Sequence, residues 1–414
     1  MDEKGLESCE FGTSRGLSGK KVILGVCGGI AAYKSVELLR LMIRAGASVR
    51  VVMTENARWF VGPGTFQALS RLPVCTSVFE EGDASIRHID WAQEADLAVI
   101  APATANFLGK LANGIADDAL STFMLAVTAP VVICPAMNSH MYEHPAVRKN
   151  LEVLSGFGFT LVEPDAGELA CGTTGPGRLP DPLRILEHLD AALADKDMQG
   201  VRLLVTAGPT REYLDPVRFI SNPSSGKMGF AIARAAWCRG AEVNLVSGPV
   251  SLADPSGVRT HRVTTADEMA ERVMALLPDS DVVIKAAAVS DYAPEAVSEH
   301  KIKKRDDITS LKLTKTLDIL QRIGQAKGDR LLVGFAAETR DLTENALKKM
   351  EAKNLDLIVG NLIGPESSGF QSDSNQVTLF FRDGRQESLP ILDKIEVAHH
   401  ILDRVLSIRS QVER

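Results

Sequence analysis

Polar side chains cluster in one stretch near the middle of the chain. An apolar run at residues 201–205 is followed by a long loop that carries Arg218 and Asn222. Small residues at positions 224–226 then lead into an apolar-periodic segment at residues 228–237. A buried strand that ends in a loop before a helix N-terminus places backbone N–H groups where they bind anions. The stretch therefore predicts a strand, a wide loop and a helix that together form a nucleotide-type site.

Two further segments carry groups that could act on a substrate. Lys301, Lys303 and Lys304 form a cationic run. Such a run is usually a solvated surface, but beside a nucleotide-type sheet it could equally close over a phosphate. Residues 156–181 are rich in glycine and proline, which predicts a mobile flap without regular structure. Cys171 lies next to Gly172 on this polar flap, an unusual place for a structural thiol.

Apolar runs and glycine turns predict the elements that position these groups. In the first half we expect strands at residues 22–26, 49–53, 97–101 and 131–134, with a helix at about 30–45 after the first strand. The last two strands each end in a proline-containing polar turn. Strand ends are where open α/β sheets bind ligands, so these turns and the first glycine turn should face one crevice.

The second half repeats this pattern after a helical segment at residues 182–200. We expect strands at residues 201–205, 243–246, 282–286, 331–335, 357–359 and 377–381, with helices at about 228–239, around Lys348 and at 394–408. The strand at 377–381 is predicted to lie at the sheet edge. The alternation of strands and helices predicts an α/β fold with two Rossmann-like three-layer domains.

Composition narrows the class of protein. A chain of 414 residues is long enough for two domains of about 200 residues each. The net charge of -7 argues against general binding of nucleic acid or anionic membranes. Six cysteines without a CxxC pair or metal-ligand spacing indicate reduced thiols, and no stretch predicts a membrane span or signal peptide. We interpret residues 1–17 as a flexible extension, followed by domains at 18–195 and 196–414.

The motifs resemble those of a known family. The N-terminal half contains GGIAAYK, IRHID, PATAN, PAMNSHM and ACGTTGPGR, and the C-terminal half contains TAGPTREYLDPVRFISN, SSGKMG, AAAVSDY, KIKKRDD and GFAAET. Together and in this order they closely resemble the bifunctional coenzyme A biosynthesis flavoproteins. The resemblance implies a flavodoxin-like, FMN-dependent phosphopantothenoylcysteine decarboxylase domain. It also implies a phosphopantothenate-cysteine ligase domain that follows it.

The resemblance implies the following roles in the first domain. FMN oxidises the cysteine moiety, which supplies the electron sink that decarboxylation needs. His88 matches the catalytic histidine, Asn138 the residue that binds the substrate carboxylate, and Cys171 the flap cysteine that returns a proton. Met141 and Arg178 are expected at the substrate. The expected FMN-binding residues are Gly28, Gly29, Ile30, Thr54, Thr104, Ala105 and Asn106.

For the second domain the resemblance implies activation of the phosphopantothenate carboxyl by CTP, with an acyl-cytidylate intermediate and release of pyrophosphate. Asn222 matches the residue that holds this intermediate. Asp291 is expected to bind Mg2+ with the nucleotide, and Lys301 to close over the triphosphate. Further expected contacts are Gly208, Arg218, Ser225, Gly226, Lys227, Leu317, Asp318, Ile319, Leu320, Phe335, Lys349 and Lys353.

The sequence departs from the family pattern at two positions. The family commonly reads PASANT where this chain has PATANF, so individual hydrogen bonds to FMN are expected to differ there. Pro223 follows Asn222 where the family often has histidine, and proline removes a backbone donor and stiffens the loop.

Two other functions are compatible with parts of this pattern. An NAD(P)-dependent reductase would use both glycine turns, with Glu55 as a ribose-binding acid, but GxGxxG is missing and Ser247 and Gly248 stand where the second acid should be. A flavin-binding scaffold without catalysis would not need His88 or Asn222. Thermal stabilisation by FMN without turnover would favour the scaffold.

The resemblance also implies an assembly and a location. The family's decarboxylases are trimeric and its ligases dimeric, so we expect a homo-oligomer that could reach a dodecamer. We expect a cytoplasmic enzyme whose partners are phosphopantothenate, cysteine and CTP, with no nucleic acid and no membrane.

Overall fold

The computed structural model describes residues 16–77, 87–169, 172, 174–303, 310–338, 340–362 and 372–412, with only the backbone at positions 87, 88, 362 and 412. The chain divides into two compact units, Ser14–Ala194 and Asp195–Arg414, which we call the N-terminal and C-terminal units. Among the described residues, no helix combines the length and apolar character needed to span a bilayer.

The N-terminal unit is built on a parallel sheet. Its strands are β1 Lys21–Val26, β2 Ser48–Met53, β3 Val74–Cys75, β4 Leu97–Ala103, β5 Val131–Pro135 and β6 Thr160–Leu161, in the order β3-β2-β1-β4-β5-β6, followed by a separate pair, β7 Asp165–Glu168 and β8 Thr174–Arg178. The helices are α1 Lys34–Arg44, α2 Pro63–Ser70, α3 Arg87–Glu94, α4 Ala105–Ala112, α5 Ala119–Ala126, α6 Ser139–Glu143, α7 Pro145–Gly156 and α8 Pro182–Leu193. Short 3₁₀ turns occupy Ile30–Tyr33 and Glu55–Trp59.

Strand β1 shows why this unit forms three layers. Val22 and Leu24 pack into the apolar core on one face of the sheet, and Ile23 packs into the core on the other face. Successive side chains of a strand point to opposite faces, so a strand that is apolar throughout must be covered on both sides by helices. The predicted three-layer α/β architecture is confirmed for this unit. Its strand order reverses between β1 and β4, and such a switch point opens a crevice at the carboxyl ends of the strands.

The prediction that residues 156–181 lack regular structure is wrong for its described part. β7 and β8 form an antiparallel pair that packs on the turn after β5. The Met137 N–H donates a hydrogen bond to the Gly177 carbonyl at 3.0 Å. A Cβ at Gly177, where φ is +138°, would lie 2.1 Å from the Met137 carbonyl oxygen. Glycine is therefore needed for this contact, and does not indicate an absence of structure.

The C-terminal unit has a larger, mixed sheet. Its strands, in spatial order, are β13 Arg259–Arg262, β12 Glu242–Ser247, β9 Arg202–Ala207, β14 Val282–Lys285, β17 Leu331–Glu338, β18 Leu357–Leu362, β20 Thr378–Phe381 and β21 Gln386–Ser388. Three short antiparallel pairs flank it: β10 Arg211–Tyr213 with β11 Phe219–Ser221, β15 Tyr292–Pro294 with β16 Leu313–Lys315, and β19 Ser374–Asn375 with β22 Leu392–Asp393. The helices are α9 Lys227–Cys238, α10 Ala266–Leu276, α11 Ile319–Gln325, α12 Leu342–Ala352 and α13 Lys394–Val412, and Leu277–Asp279 is a 3₁₀ turn.

Helices cover both faces of this sheet, which confirms the second predicted three-layer domain. Helices α9 and α13 pack on one face, and α10, α11 and α12 on the other. The expectation that residues 377–381 form the edge strand is wrong, because β20 lies between β18 and β21. The Asp383–Gly384 turn, with Gly384 at φ +88°, folds β21 back onto β20.

Candidate active sites

The turns after four parallel strands of the N-terminal unit surround a cleft of about 940 Å³. β1, β2, β4 and β5 all contribute, so the cleft lies at the switch point of the sheet. It brings together ten of the predicted residues: Gly28, Gly29, Ile30, Thr54, Thr104, Ala105, Asn106, Asn138, Met141 and Arg178.

Thr54 presents an unsatisfied polar group to this cleft. Its Oγ1 is buried and has no hydrogen-bond partner among the described residues. A buried hydroxyl without a partner is costly, which indicates that a ligand atom completes it. Gly28 lies against the following 3₁₀ turn, because a Cβ there would be 2.5 Å from the Asn56 Cβ. The first turn can therefore pack closely on the second only without a side chain at position 28.

Helix α4 begins at the cleft. Thr104 caps it, with Oγ1 accepting a hydrogen bond from the Phe107 N–H at 3.4 Å. The first-turn N–H groups of a helix lack intrahelical acceptors, so they and the helix dipole favour an anion such as a phosphate. Ala105 and Asn106 line the cleft at this point.

The opposite wall comes from the turn after β5 and from the β7–β8 pair. Asn138 caps α6, with Oδ1 accepting from the His140 N–H at 2.9 Å. The capping role and the predicted carboxylate-binding role are compatible, because the cap fixes a side chain that lines the cleft. Met141 is 48% exposed, one helical turn further on.

The two other predicted catalytic residues are not placed in the cleft by the structure. His88 lies on α3, but its side chain lies outside the described part of the chain. Cys171 also lies outside the described residues. Sequence reasoning missed Lys110, which lines the cleft and pairs with Asp117 at 2.6 Å and Asp118 at 2.7 Å. These carboxylates raise the pKa of Lys110, so it carries charge.

A second cleft, of about 320 Å³, lies in the C-terminal unit at the carboxyl ends of β14 and β17. It brings together seven predicted residues: Asn222, Ser225, Gly226, Lys227, Asp291, Phe335 and Lys349. It also contains four residues that sequence reasoning missed: Lys285, Asn361, Asn375 and Lys394. Of these, only Lys285 could have been identified from the sequence, because a lysine ends the otherwise apolar strand VVIK.

Helix α9 begins in this cleft after a left-handed cap. Gly226 has φ +77°, and its N–H donates to Ser224 Oγ at 3.3 Å. Gly229 faces β9, and a Cβ there would lie 2.5 Å from the Ala207 Cβ. The glycines thus place the N-terminus of α9 close to the sheet, in the position where nucleotide-binding folds hold phosphates.

Asn222 connects two sides of this cleft. Its Nδ2 donates to the Ala288 and Val289 carbonyls, each at 3.1 Å. Both carbonyls follow β14. The side chain therefore fixes the loop before α9 relative to the strand end that leads to Asp291.

The cleft is strongly cationic. Its charged lining residues are Lys227, Lys285, Lys349 and Lys394 against Asp291, four cations and one anion. Burial, with Lys349 nearby, lowers the pKa of Lys285 to about 8. The Lys349 Nζ donates to the Phe335 carbonyl at 2.7 Å, and burial lowers its pKa as well. The desolvated ammonium groups of Lys285 and Lys349 favour an anionic ligand such as a triphosphate.

Several predicted residues do not line this cleft. Arg218 pairs with the buried Asp215 at 2.6 Å and also donates to the Ile302 carbonyl. Burial opposes ionisation of Asp215, but hydrogen bonds from the backbone of Ile302 and other residues hold its pKa well below the usual range. The ion pair thus holds the backbone beside Lys301, whose own side chain is exposed.

The other predicted residues that do not line the cleft have structural roles. Gly208 lies beneath the start of α9, where its N atom is 3.3 Å from the Cβ position of Gly226. Ile319 and Leu320 are core residues, and Leu317 packs against the apolar cluster that contains them. Asp318 caps α11 through the Gln321 N–H at 2.9 Å and pairs with Lys353.

Among the described side chains, no three of His, Cys, Asp or Glu form a group that could hold a metal ion.

Comparisons with known proteins match both units. The model of the flavoprotein family matches residues 11–194, and the model described as "DNA/pantothenate metabolism flavoprotein C-terminal domain" matches residues 198–408. The coenzyme A biosynthesis bifunctional protein CoaBC of Bacillus subtilis is 50% identical, with 95% of this chain and 98% of that protein covered. The same protein of Escherichia coli K12 is 46% identical, with 94% and 98% covered.

Among solved structures, the C-terminal domain of a coenzyme A biosynthesis bifunctional protein CoaBC is 44% identical with a TM-score of 0.46, and the match covers 52% of this chain and all of that chain. The two family models together span nearly the whole chain. The chain belongs to the family of coenzyme A biosynthesis bifunctional proteins.

Proposed function

We propose that the family's two activities are divided between the two units. The N-terminal unit, with residues 18–195 as its domain, is the phosphopantothenoylcysteine decarboxylase, and residues 196–414 are the phosphopantothenate-cysteine ligase. The support is that each unit has its own cleft at the carboxyl ends of parallel strands. The two clefts also differ chemically, since the second is lined by four lysines.

The N-terminal cleft fits FMN. The observation that carries this proposal is the buried, unpartnered Oγ1 of Thr54, which a flavin phosphate or ribityl oxygen would complete. The α4 N-terminus at Thr104, Ala105 and Asn106 would hold an anionic group, and the glycine turn, Gly28 to Ile30, would lie along the cofactor. When bound, FMN supplies a two-electron acceptor that makes loss of carbon dioxide from the cysteine moiety feasible.

The chain's own residues position the substrate and move its protons. Asn138, fixed by its cap, binds the substrate carboxylate, with Met141 and Arg178 beside it. His88 accepts the thiol proton, and the Cys171 thiol returns a proton to the product. These two roles rest on the motif resemblance.

Thr54→Val should weaken FMN binding and at the same time stabilise the flavin-free protein. Valine keeps the shape of threonine but removes the hydroxyl, so FMN loses a hydrogen bond while the empty cleft loses an unsatisfied group. Each effect should be about 1–2 kcal/mol, with opposite signs. Fluorescence titration with FMN and thermal unfolding of the flavin-free protein measure them. Thr65→Val, at an exposed threonine of α2, should change neither, and stabilisation without loss of FMN affinity would contradict the assignment.

The C-terminal cleft suits activation of a carboxylate by a nucleoside triphosphate. The observation that carries this proposal is the convergence of Lys227, Lys285 and Lys349 with the N-terminus of α9. These groups would hold the phosphates, while Asn222 holds the acyl-cytidylate and Phe335 lies beside the base. Asp291 is exposed at the cleft and would bind Mg2+ together with the phosphates, because Mg2+ commonly uses one or two carboxylates plus substrate oxygens. CTP as the nucleotide, and contacts from Lys301 and Lys353, rest on the motif resemblance.

Incubation with phosphopantothenate, cysteine, Mg2+ and CTP tests both proposals by mass spectrometry. Phosphopantetheine should appear, and ATP should replace CTP poorly. Product that stops at phosphopantothenoylcysteine would contradict the decarboxylase assignment. Failure to form this intermediate with any nucleotide would contradict the ligase assignment.

Neutralising Lys285 should give a pH-dependent defect in nucleotide use. With its pKa at about 8, Lys285 is charged at pH 7 and loses its proton as the pH rises through 8. Lys285→Met should therefore lower kcat/KM for CTP about tenfold at pH 7, and the gap from the wild type should shrink at pH 9.5. Lys348→Met, at an exposed lysine of α12, is the matched control and should change neither value. A defect of equal size at both pH values would contradict the role of the charge.

Exposed apolar side chains support a homo-oligomer. On the N-terminal unit Trp59 is 86%, Tyr33 60% and Phe60 48% exposed, and on the C-terminal unit Val217 is 56% and Tyr292 48% exposed. Large exposed apolar groups commonly mark protein interfaces. These surfaces would serve the trimeric decarboxylase and dimeric ligase contacts, with a dodecamer as the complete assembly.

A cytoplasmic location is supported by the described cysteines, none of which forms a disulfide with another described residue.

A further inference from the structure

One corner of the C-terminal cleft has no role in the proposed nucleotide site. It is formed by Asn361, Asn375 and Lys394, which we call the α13 corner. The strand register brings them to one end of the sheet, since Gly360 pairs with Thr378 on the neighbouring strand. Asn375 pairs with Leu392, two residues before α13 begins.

The side-chain oxygen of Asn361 in this corner has no hydrogen-bond donor among the described residues. Asn361 follows Leu357 and Val359 along the face of β18 that packs against α9 and α13. Its Oδ1 is buried and, within the described part of the chain, has no hydrogen-bond partner. A ligand that completes this oxygen must carry an N–H or O–H donor.

The rest of the corner favours a negative charge. Lys394 is buried at the first turn of α13, and its Nζ donates to the Ser372 carbonyl. Lys227, the first residue of α9, pairs with Asp373 at 2.8 Å. Burial, with Lys227 nearby, lowers the pKa of Lys394 to about 8. Because Lys227 and Asp373 pair with each other, Lys394 and the N-terminus of α13 leave a net positive corner beside the unsatisfied acceptor.

We propose that the α13 corner binds the cysteine co-substrate of the ligase, with the α-amino group on Asn361 Oδ1 and the carboxylate toward Lys394. This inference rests on the proposed ligase function of the same cleft. An amino acid carries a donor and an anion on neighbouring atoms, as the corner requires. Phosphate groups carry the charge without the donor, and the phosphopantothenate carboxyl is bonded to the nucleotide in the intermediate.

The corner would place the attacking nitrogen in the cleft that holds Asn222. The cysteine nitrogen forms the amide bond to the acyl carbon while the bond from that carbon to the phosphate oxygen breaks. CMP leaves with the electron pair, and the two protons lost by the ammonium group pass to water. No oxidant or reductant is needed.

The two half-reactions separate this role from nucleotide binding. Pyrophosphate release from CTP and phosphopantothenate needs no cysteine, whereas amide formation does. Asn361→Leu and Lys394→Met should leave the single-turnover pyrophosphate burst within about twofold of the wild type. They should lower kcat/KM for cysteine at least about tenfold, the effect expected for a lost hydrogen bond to a charged group. Asn361→Asp keeps an acceptor for the amino group and should restore most of this loss.

Other outcomes have distinct meanings. An unchanged cysteine dependence in both variants overturns the inference, and so does a lost burst or a raised KM for CTP or phosphopantothenate. Absence of the burst in the wild-type protein would instead overturn the proposed function. Lys348→Met, on the exposed surface of α12, controls for removal of a lysine charge.

Discussion

Asn222→Asp should nearly abolish amide formation while pyrophosphate release from the nucleotide continues. The Asn222 amide donates to two carbonyls, Ala288 and Val289, and an aspartate cannot donate to either. Its carboxylate would face two carbonyl oxygens, so the loop before α9 and the segment after β14 would move apart. A displacement of about 1 Å at a reacting centre costs about 100-fold in rate. The groups that face the phosphates, on α9 and on the lysines, are unchanged by the substitution.

A rapid-quench experiment checks this prediction by following pyrophosphate and phosphopantothenoylcysteine together. Acyl-cytidylate should accumulate in the variant. Asn354→Asp is a matched control, because Asn354 also donates its side-chain amide to a backbone carbonyl, that of Gly324, away from the cleft. The control should retain full activity. If pyrophosphate and amide formation fall equally in Asn222→Asp, the residue serves nucleotide binding and the proposed role is wrong.

Most of the fold could be predicted because its strands are apolar throughout. A run such as residues 97–101 is buried on both faces, so it requires helices on both sides and indicates a parallel sheet without any knowledge of contacts. Because parallel strands run in the same direction, their carboxyl ends lie at the same edge of the sheet. This is why the glycine turn after β1 and the turns after β4 and β5 could be assigned in advance to one cleft, whereas Thr54, after β2, was expected there only from the family resemblance.

The β7–β8 pair could not be predicted from composition. Glycine weakens a strand on its own, and residues 174–178 read TGPGR. The pair forms because Gly177 can approach the Met137 carbonyl, a contact between segments about forty residues apart in the chain. The error at residues 377–381 has the same origin, since the partner strand β21 is short, polar and barely distinguishable from a loop.

The residues missed in the second cleft share a physical cause. Asn361 and Lys394 lie on β18 and α13, which reach the cleft only through the strand order of the completed sheet. Neither belongs to a motif for which the sequence predicts a ligand contact. Arg218 shows the reverse case, because its position in a polar loop predicted a ligand contact. The structure pairs it with Asp215, an interaction that depends on the buried position of that carboxylate.

The unsatisfied oxygens of Thr54 and Asn361 both indicate positions where a ligand binds. Each is a buried polar atom that lines a cleft and has no partner among the described residues. In a folded protein such atoms are rare, because leaving them unpaired opposes folding. Their position at the carboxyl ends of parallel strands, where α/β sheets bind ligands, separates them from accidental defects of packing.

His88→Asn should keep FMN bound and lose decarboxylase activity by a factor of about 100 to 10,000, the usual contribution of general acid–base catalysis. His88 lies on α3, and a neutral imidazole can accept a proton. Asparagine can replace a hydrogen bond of histidine but cannot accept the thiol proton. Carbon dioxide release from phosphopantothenoylcysteine and the flavin absorbance of the purified variant measure the two properties separately.

Two comparisons make this result specific to the proton transfer. His140→Asn alters an exposed histidine on α6 beside the cleft and should keep both flavin and activity. Ligase activity of His88→Asn should equal that of the wild type, because the second cleft lies within the other unit. Decarboxylation at the normal rate would remove His88 from the mechanism. Loss of flavin together with activity would show that the residue holds the cofactor site, and the proton would then need another acceptor among the groups that line the first cleft.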